Sequence, residues 1–274
     1  MLSAAGRESV MRYENRLSQR YHVLQRRNIG CRPNLHRDLE LVYVCRGRCL
    51  LHTGGRAWPM GAGCLALLFP NQVHFFEDQG ENECYLLVCS PDEFPEYQGV
   101  FQNQMPEVPV ADCAGAELPA LFRRLLELAQ EVKGDGDPFR RGRLRGYALA
   151  LLSTALPLFP MTAVGTGAST VRRLLDYCDA NYMQPITLEQ AARALGLSPY
   201  RICHICEERL HVSFHRFLCA LRLERAKDLL SSTGDTVTQI GYGVGFGSLR
   251  AFNRQFRAYT GMTPTDYRVQ CSRR

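Results

Sequence analysis

The sequence predicts two domains: an antiparallel β-sandwich or barrel followed by helices, then an all-helical domain in which two helix-turn-helix units are joined by a linker helix. Three observations predict this. Between His36 and Cys89 short apolar runs recur about every ten residues, separated by glycine-rich turns, the texture of an all-β domain. A helix, break and helix pattern occurs twice in the last hundred residues. Charge divides the same way: residues 169–274 hold 15 Arg/Lys against 9 Asp/Glu, whereas residues 1–168 hold 18 of each, so the whole +6 excess lies in the helical half. A chain of 274 residues is long enough to bury two cores.

In chain order, residues 1–30 are polar and basic and read as an arm. The β domain spans 31–110, with LELVYVCRG, RCLLHTGG, RAWPMGAG, CLALLFPNQVHFF and then Cys84 to Cys89 as its strands; Pro91 to Pro109 reads as loop. Helical texture fills 111–159, with one amphipathic helix through Leu118, Leu121, Phe122, Leu125, Leu126, Leu128 and Ala129. A second runs from Leu144 to Leu158, beyond a break at Gly134 to Pro138. The small, uncharged stretch 160–170 is a linker, and residues 171–274 form the helical domain, opened by Arg172 to Tyr182.

The first repeat places Leu188, Ala191, Ala192 and Leu195 on one stripe, breaks at Gly196, and restarts with Ser198 as N-cap and Pro199 at the first helical position. Ile202, Ile205 and Cys206 then face inward, leaving Tyr200, Arg201, Cys203 and His204 outward. Phe214 to Leu230 is the linker helix. In the second repeat Val237, Ile240 and Val244 precede the breaks at Gly243, Gly245 and Gly247, and Ser248 caps a helix whose Phe252, Phe256 and Tyr259 share a face. Leu249, Arg250, Asn253, Arg254 and Arg257 lie off that face. Arginine bonds guanine bidentately and asparagine bonds adenine, so such a face suits a DNA major groove. Taken alone, the second helix reads equally as a solvated arginine face over an ordinary core. Two copies about fifty residues apart favour two modules addressing successive grooves of double-stranded DNA, with Arg257 and Arg216 on phosphates.

At ITLEQAARALGLSP, RLERAKDLL and GFGSLRAFNRQFRAYTGMTPTDYR the chain resembles the DNA-binding domain of AraC/XylS transcription regulators, from about Thr170 to Arg268. The resemblance implies a sequence-specific, promoter-binding transcription regulator and not an enzyme, with an activator's contact to RNA polymerase. It further implies a small-molecule effector in the N-terminal domain and a homodimer built on the helices after it; the alternative for those helices is packing on the chain's own β domain. Three departures stand out. Gly241 replaces the family's usual alanine, and with Gly243 should weaken its helix by up to roughly 1 kcal/mol per glycine. His211 stands at a turn glycine, and Glu207-Glu208 where lysines are common.

His36, Glu40, Gly47, Gly63, Pro70 and His74 resemble the two motifs of a cupin barrel, with Asn34 where metal-dependent cupins carry their first histidine. His36, Glu40, His74 and Tyr43 are therefore the expected effector-binding residues. No cofactor is expected; the competing class is a metal-dependent cupin enzyme or metal sensor using His36, Glu40 and His74. Cys203, His204, Cys206, His211 and His215 crowd together without a second zinc-ribbon cysteine pair and read as core and groove residues. The twelve cysteines follow no secreted-scaffold spacing and are expected reduced, with a redox sensor as a third alternative. No apolar run is long enough to span a bilayer and the start lacks a signal-peptide core, so a cytoplasmic protein with no membrane partner is expected.

Overall fold

The computed structural model describes residues 12–13, 21–31, 33–113, 117–131, 137–163, 166–210 and 212–272. The chain forms two compact units, Arg16–Cys31 with His36–Gly165, and Thr166–Arg274 with the short segments Met1–Asn15 and Arg32–Leu35. No helix among the described residues is long and apolar enough to cross a membrane. The smallest elements of the second unit come first in the chain: β1 (Arg12–Tyr13) and β3 (Asn34–Leu35) pair in parallel.

The other unit stacks two sheets. One is antiparallel throughout, in the order β11 (Val110–Asp112), β7 (Cys64–Leu68), β4 (Leu39–Arg46), β9 (Glu83–Cys89) and β2 (Tyr21–Arg27). Opposite it, β5 (Arg48–Thr53) lies between β8 (His74–Asp78) and β6 (Arg56–Gly61). Side chains alternate across a strand, and β4 buries both of its faces. Val42 and Val44 join Leu51, Met60, Leu68 and Phe76 in a core shared by the two sheets, while Leu39, Leu41 and Tyr43 join Leu67, Leu87 and Phe122 on the opposite face. That is why LVYV, after Glu40, reads as a continuous apolar run.

Helices cover the outer face. After α1 (Gln98–Asn103) come α2 (Glu117–Gln130) and α3 (Pro138–Ala155). Leu118, Phe122, Leu125, Leu126 and Leu128 of α2 are buried in the cluster with the sheet, so the leucine stripe is spent on the chain's own β domain and not left for a partner. Arg140 of α3 donates to the carbonyls of Leu128 and Ala129 at 3.0 and 2.8 Å, closing the C-terminus of α2.

The stretch 91–109, read as loop, holds α1 and β10 (Gln104–Pro106), and three boundaries also differ from the sequence reading. The 1–30 arm contains β2, which pairs along its whole length with β9. Pro138 does not end a break but starts α3, because Asp137 accepts from the Phe139 N–H as an N-cap and proline suits the first turn. Within the 160–170 linker, β12 (Met161–Ala163) pairs with β10 (Gln104–Pro106) and α4 (Thr166–Asn181) already begins.

In the helical unit α4 is followed by α5 (Leu188–Leu195), α6 (Pro199–Ile205), α7 (Phe214–Ser232), α8 (Val237–Gly243), α9 (Leu249–Thr260) and α10 (Pro264–Ser272). The long α7 is the spine, burying Phe217, Leu221, Ala226 and Leu230. Its Arg222 donates to the carbonyls of Tyr182 and Gln184, both at 2.8 Å, and its Arg225 pairs with Asp179 at 2.9 Å, so α4 is latched to α7 by two guanidinium groups.

Candidate nucleic-acid interface and buried polar cluster

Both helix-turn-helix units are built by the same local devices. Thr187 with Gln190, and Thr236 with Gln239, form capping boxes that start α5 and α8. Gly196 takes φ 67° to end α5, and Ser198 accepts from the Arg201 N–H to start α6. In the second unit Gly245 takes φ 93° at the turn, and a Cβ there would stand 2.5 Å from the Tyr182 carbonyl oxygen and 3.0 Å from the Arg222 Nε. Only glycine fits between the turn and the α4–α7 latch. Ser248 then accepts from the Ala251 N–H and α9 begins.

On α9 Phe252, Phe256 and Tyr259 are buried, and Phe252 stands 5.3 Å from Phe246 and 5.6 Å from Phe256 between ring centres. Arg250, Asn253, Arg254 and Arg257 are exposed, and among the described residues their side chains have no hydrogen-bond or ion-pair partner. Leu249 is half-buried at the helix start. On α6 Ile202 and Ile205 are buried, Tyr200 is 78 % exposed and Arg201 is exposed, while Cys203 and His204 are half-buried. Tyr200 stacks on His204, with ring centres 6.0 Å apart. Arg216 lies exposed in the first turn of α7. Cys206 is buried in the core of this unit, and His211 lies outside the described residues.

The other unit holds His36, Glu40 and His74 together. His36 Nε2 lies 2.9 Å and His74 Nε2 3.4 Å from the same Glu40 oxygen, with the two rings edge-on and 5.0 Å apart. All three are buried. Burial by itself raises the Glu40 carboxyl pKa, but the charge and hydrogen bond of His74 and the hydrogen bond of His36 outweigh it, and the pKa is lowered. Two-residue alternation along β4 separates Tyr43 from this group: Glu40 lies on the face of Val42 and Val44, whereas Tyr43 stacks on Tyr85 and leans on Phe122 under α2. The four expected effector residues are therefore three and one. A separate groove of about 830 Å³ opens between β2 and the α2–α3 pair, lined by Tyr21, Arg27, Leu126, Arg141 and Leu144 among others. Beside it, Glu93 is buried and accepts from the Tyr21 hydroxyl at 2.9 Å and from Arg141 at 3.3 Å.

A family model described as an AraC-like ligand binding domain matches residues 17–149, and one described as a helix-turn-helix domain matches residues 191–270. They follow in that order and account for most of the chain. The chain belongs to the AraC family. An uncharacterised HTH-type transcriptional regulator of Staphylococcus aureus is 34 % identical over 98 residues, which are 36 % of this chain and 13 % of that protein. The uncharacterised HTH-type transcriptional regulator YijO of Escherichia coli is 34 % identical over 95 residues, 35 % of this chain and 34 % of its own. The chain thus matches about a third or less of these curated relatives' lengths. Among solved structures, apo ToxT from Vibrio cholerae superimposes with a TM-score of 0.59 at 14 % identity, over 94 % of this chain and 99 % of ToxT. ToxT with an unsaturated fatty acid bound gives 0.57 at 13 %, over 91 % and 95 %. At that identity the likeness is one of fold.

In this AraC-family chain several signature residues serve the scaffold. Arg268 of the closing TPTDYR donates to the Leu230 and Asp235 carbonyls, tying α10 to the end of α7, and Tyr267 packs edge-on against Phe256 at 5.6 Å. Glu224 of RLERAK is buried and paired with Lys227 at 2.7 Å. Arginine count alone does not mark the interface: Arg222, Arg225 and Arg268 hold the unit together, whereas Arg250, Arg254 and Arg257 of α9 face solvent. The sequence reading missed the Arg222 latch and the Arg27–Arg141 groove, and no short-range pattern signals either.

Proposed function

We propose that this chain is a sequence-specific DNA-binding transcription regulator whose output depends on a small-molecule effector. The observation that carries it is the pair of capped helix-turn-helix units, the second presenting Arg250, Asn253, Arg254 and Arg257 to solvent, without side-chain partners among the described residues, on an aromatic base. In this reading Arg250, Asn253 and Arg254 with Leu249 enter a major groove, Tyr200, Arg201, Cys203 and His204 enter a second one, and Arg257 and Arg216 meet phosphates. The relatives matched are themselves named as transcriptional regulators, which favours this over an enzyme.

The effector belongs to the β-rich unit. The groove lined by Arg27, Arg141, Leu126 and Leu144 suits a molecule with an apolar body and an anionic end, the chemistry of the acid named with ToxT. Homodimerisation and contact with RNA polymerase complete the reading, and with the α2 stripe already buried the dimer must use other surfaces.

Selection of bound fragments from genomic DNA by the purified chain, at two salt concentrations and with and without Arg254→Ala, tests it. A motif with two half-sites, lost in the variant, is the expected result. Retention that fades with salt and shows no motif in any effector condition would reduce the helical unit to a non-specific polycation.

A further inference from the structure

The buried cluster of the β-rich unit gathers three side chains of metal-ligating type about one point. His36 Nδ1 lies 3.1 Å from the Asp38 carbonyl oxygen and His74 Nδ1 2.9 Å from that of Gln72. A carbonyl oxygen only accepts, so each Nδ1 carries the hydrogen, and in a neutral ring the Nε2 is then a lone pair. Both Nε2 atoms converge on Glu40 Oε2, itself an acceptor, and the three ligand atoms lie within 4.8 Å of one another. Three lone-pair donors gathered in a buried site repel one another unless positive charge sits among them. A single divalent ion set among the three ligand atoms would be attracted by all of them.

The spacing suits such an ion. Two atoms each about 2.1 Å from a metal stand roughly 3.0–3.4 Å apart at angles between square and tetrahedral, and the two nitrogen–oxygen separations here are 2.9 and 3.4 Å. The supporting contacts suit it too, since a metal-binding histidine donates its other N–H to a carbonyl or carboxylate. The scaffold is rigid on each side: Glu40 sits in β4, His74 opens β8 opposite Thr53, and the loop before it is pinned by Phe69 N–H to Gln72 Oε1 at 2.9 Å and Asn71 N–H to the His36 carbonyl at 2.8 Å. Among the described residues this is the one group of three His, Cys, Asp or Glu side chains placed to share an ion.

We infer that His36 Nε2, His74 Nε2 and the Glu40 carboxylate bind one first-row divalent transition-metal ion, with coordination positions left for water or a small ligand. Two imidazoles and one carboxylate select zinc, iron, cobalt, nickel or manganese over calcium and magnesium. The inference stands apart from the DNA reading, because its test contains no DNA.

The full chain, stripped of metal and kept reduced, is titrated with Co(II) alone and then with Zn(II). The expected result is one Co(II) per chain with visible bands of a four- or five-coordinate nitrogen and oxygen site, displaced by one equivalent of Zn(II). His74→Ala and Glu40→Gln should each weaken binding by roughly tenfold or more. Should either variant fail to fold by circular dichroism, X-ray absorption of the wild-type zinc complex decides, two imidazoles per metal being expected. Absence of stoichiometric binding, an intense thiolate-to-cobalt band placing the ion on cysteines, or undiminished binding in a folded His74→Ala would each overturn the inference.

Discussion

The two helix-turn-helix units share their capping chemistry and differ in almost everything the caps hold up. The second reading helix, α9, runs twelve residues and ends at Gly261 with φ 81°; its inner face is aromatic and continues through Phe246 and Tyr267. The first, α6, runs seven residues and passes into a wider, five-residue turn at Cys206–Leu210, over Ile202, Ile205 and Cys206. Outwardly α9 offers four exposed polar side chains, whereas α6 offers Arg201 and an exposed tyrosine with two half-buried neighbours. Equivalent folds at two places in one chain thus carry unequal grips. In the proposed reading the second unit supplies both phosphate attraction and base discrimination, and the first adds register and a smaller share of the energy.

Breaking the aromatic base should have the largest effect. Phe252 is fully buried between Phe246 and Phe256 and lies against Gly241, so Phe252→Ala should cost about 3–5 kcal/mol in denaturant unfolding and abolish specific DNA binding. Ile202→Ala at the matching place in the first unit should cost about 2–5 kcal/mol and leave the second unit's half-site readable. Equal loss of both half-sites in the Ile202 variant would show that the units do not act separately.

Next comes the outer face. Arg254→Ala should cost about 1–3 kcal/mol of binding and relax the preferred base at one position, while Arg201→Ala should cost less. Binding measured across a set of single-base operator variants reads both. If Arg254→Ala weakened every sequence alike, the residue would be a phosphate contact; if Arg201→Ala cost the more, the inequality between the units would run the other way.

The inequality was partly legible in the residues. The i, i+4, i+7 aromatics of α9, both serine caps and the Gly196 break are short-range signals, and the structure places them as the pattern implies. The short-range reading erred where a local signal has two meanings: Asp137-Pro138 reads as a break and as a helix start, and the α2 leucines suit any apolar partner. Tyr43 shows the other limit. A resemblance supplies candidates for a site, but strand alternation decides which of them share a face, and β4, buried on both, gives no polar–apolar rhythm to tell the faces apart. The arginine latches lay beyond reach for a different reason, since Arg222 meets the end of α4 forty residues away in the chain.

The caps give a smaller test of how far the units are alike. Ser198→Ala and Ser248→Ala should each cost about 1 kcal/mol of unfolding free energy, because each removes the oxygen that accepts an N–H in the first turn. Similar costs from thermal unfolding would place the difference between the units in the outer face and the core. A much larger cost at Ser198 would place it in the shorter helix, which has fewer turns over which to spread the loss.

The smallest effect separates two glycines that propensity treats alike. Both lie in α8, and replacing a helical glycine by alanine gains roughly 0.5–1 kcal/mol when nothing else changes. At Gly243 a Cβ meets nothing within 4 Å, so Gly243→Ala should stabilise by that amount. At Gly241 it would stand 2.9 Å from the Phe252 Cδ1 and 3.1 Å from its Cγ, and displacing a ring held on its other sides costs about 1–3 kcal/mol. Gly241→Ala should therefore be neutral to destabilising by about 1–2 kcal/mol. The missing methyl is then no mere weakness of the support helix, since it lets Phe252 sit directly against the α8 backbone. In the background of Phe252→Ala the crowding is gone, and Gly241→Ala should turn stabilising like Gly243→Ala. A double-mutant cycle by denaturant unfolding reads that change of sign, and its absence would mean that Gly241 and Phe252 are not coupled and that the glycine is simply tolerated.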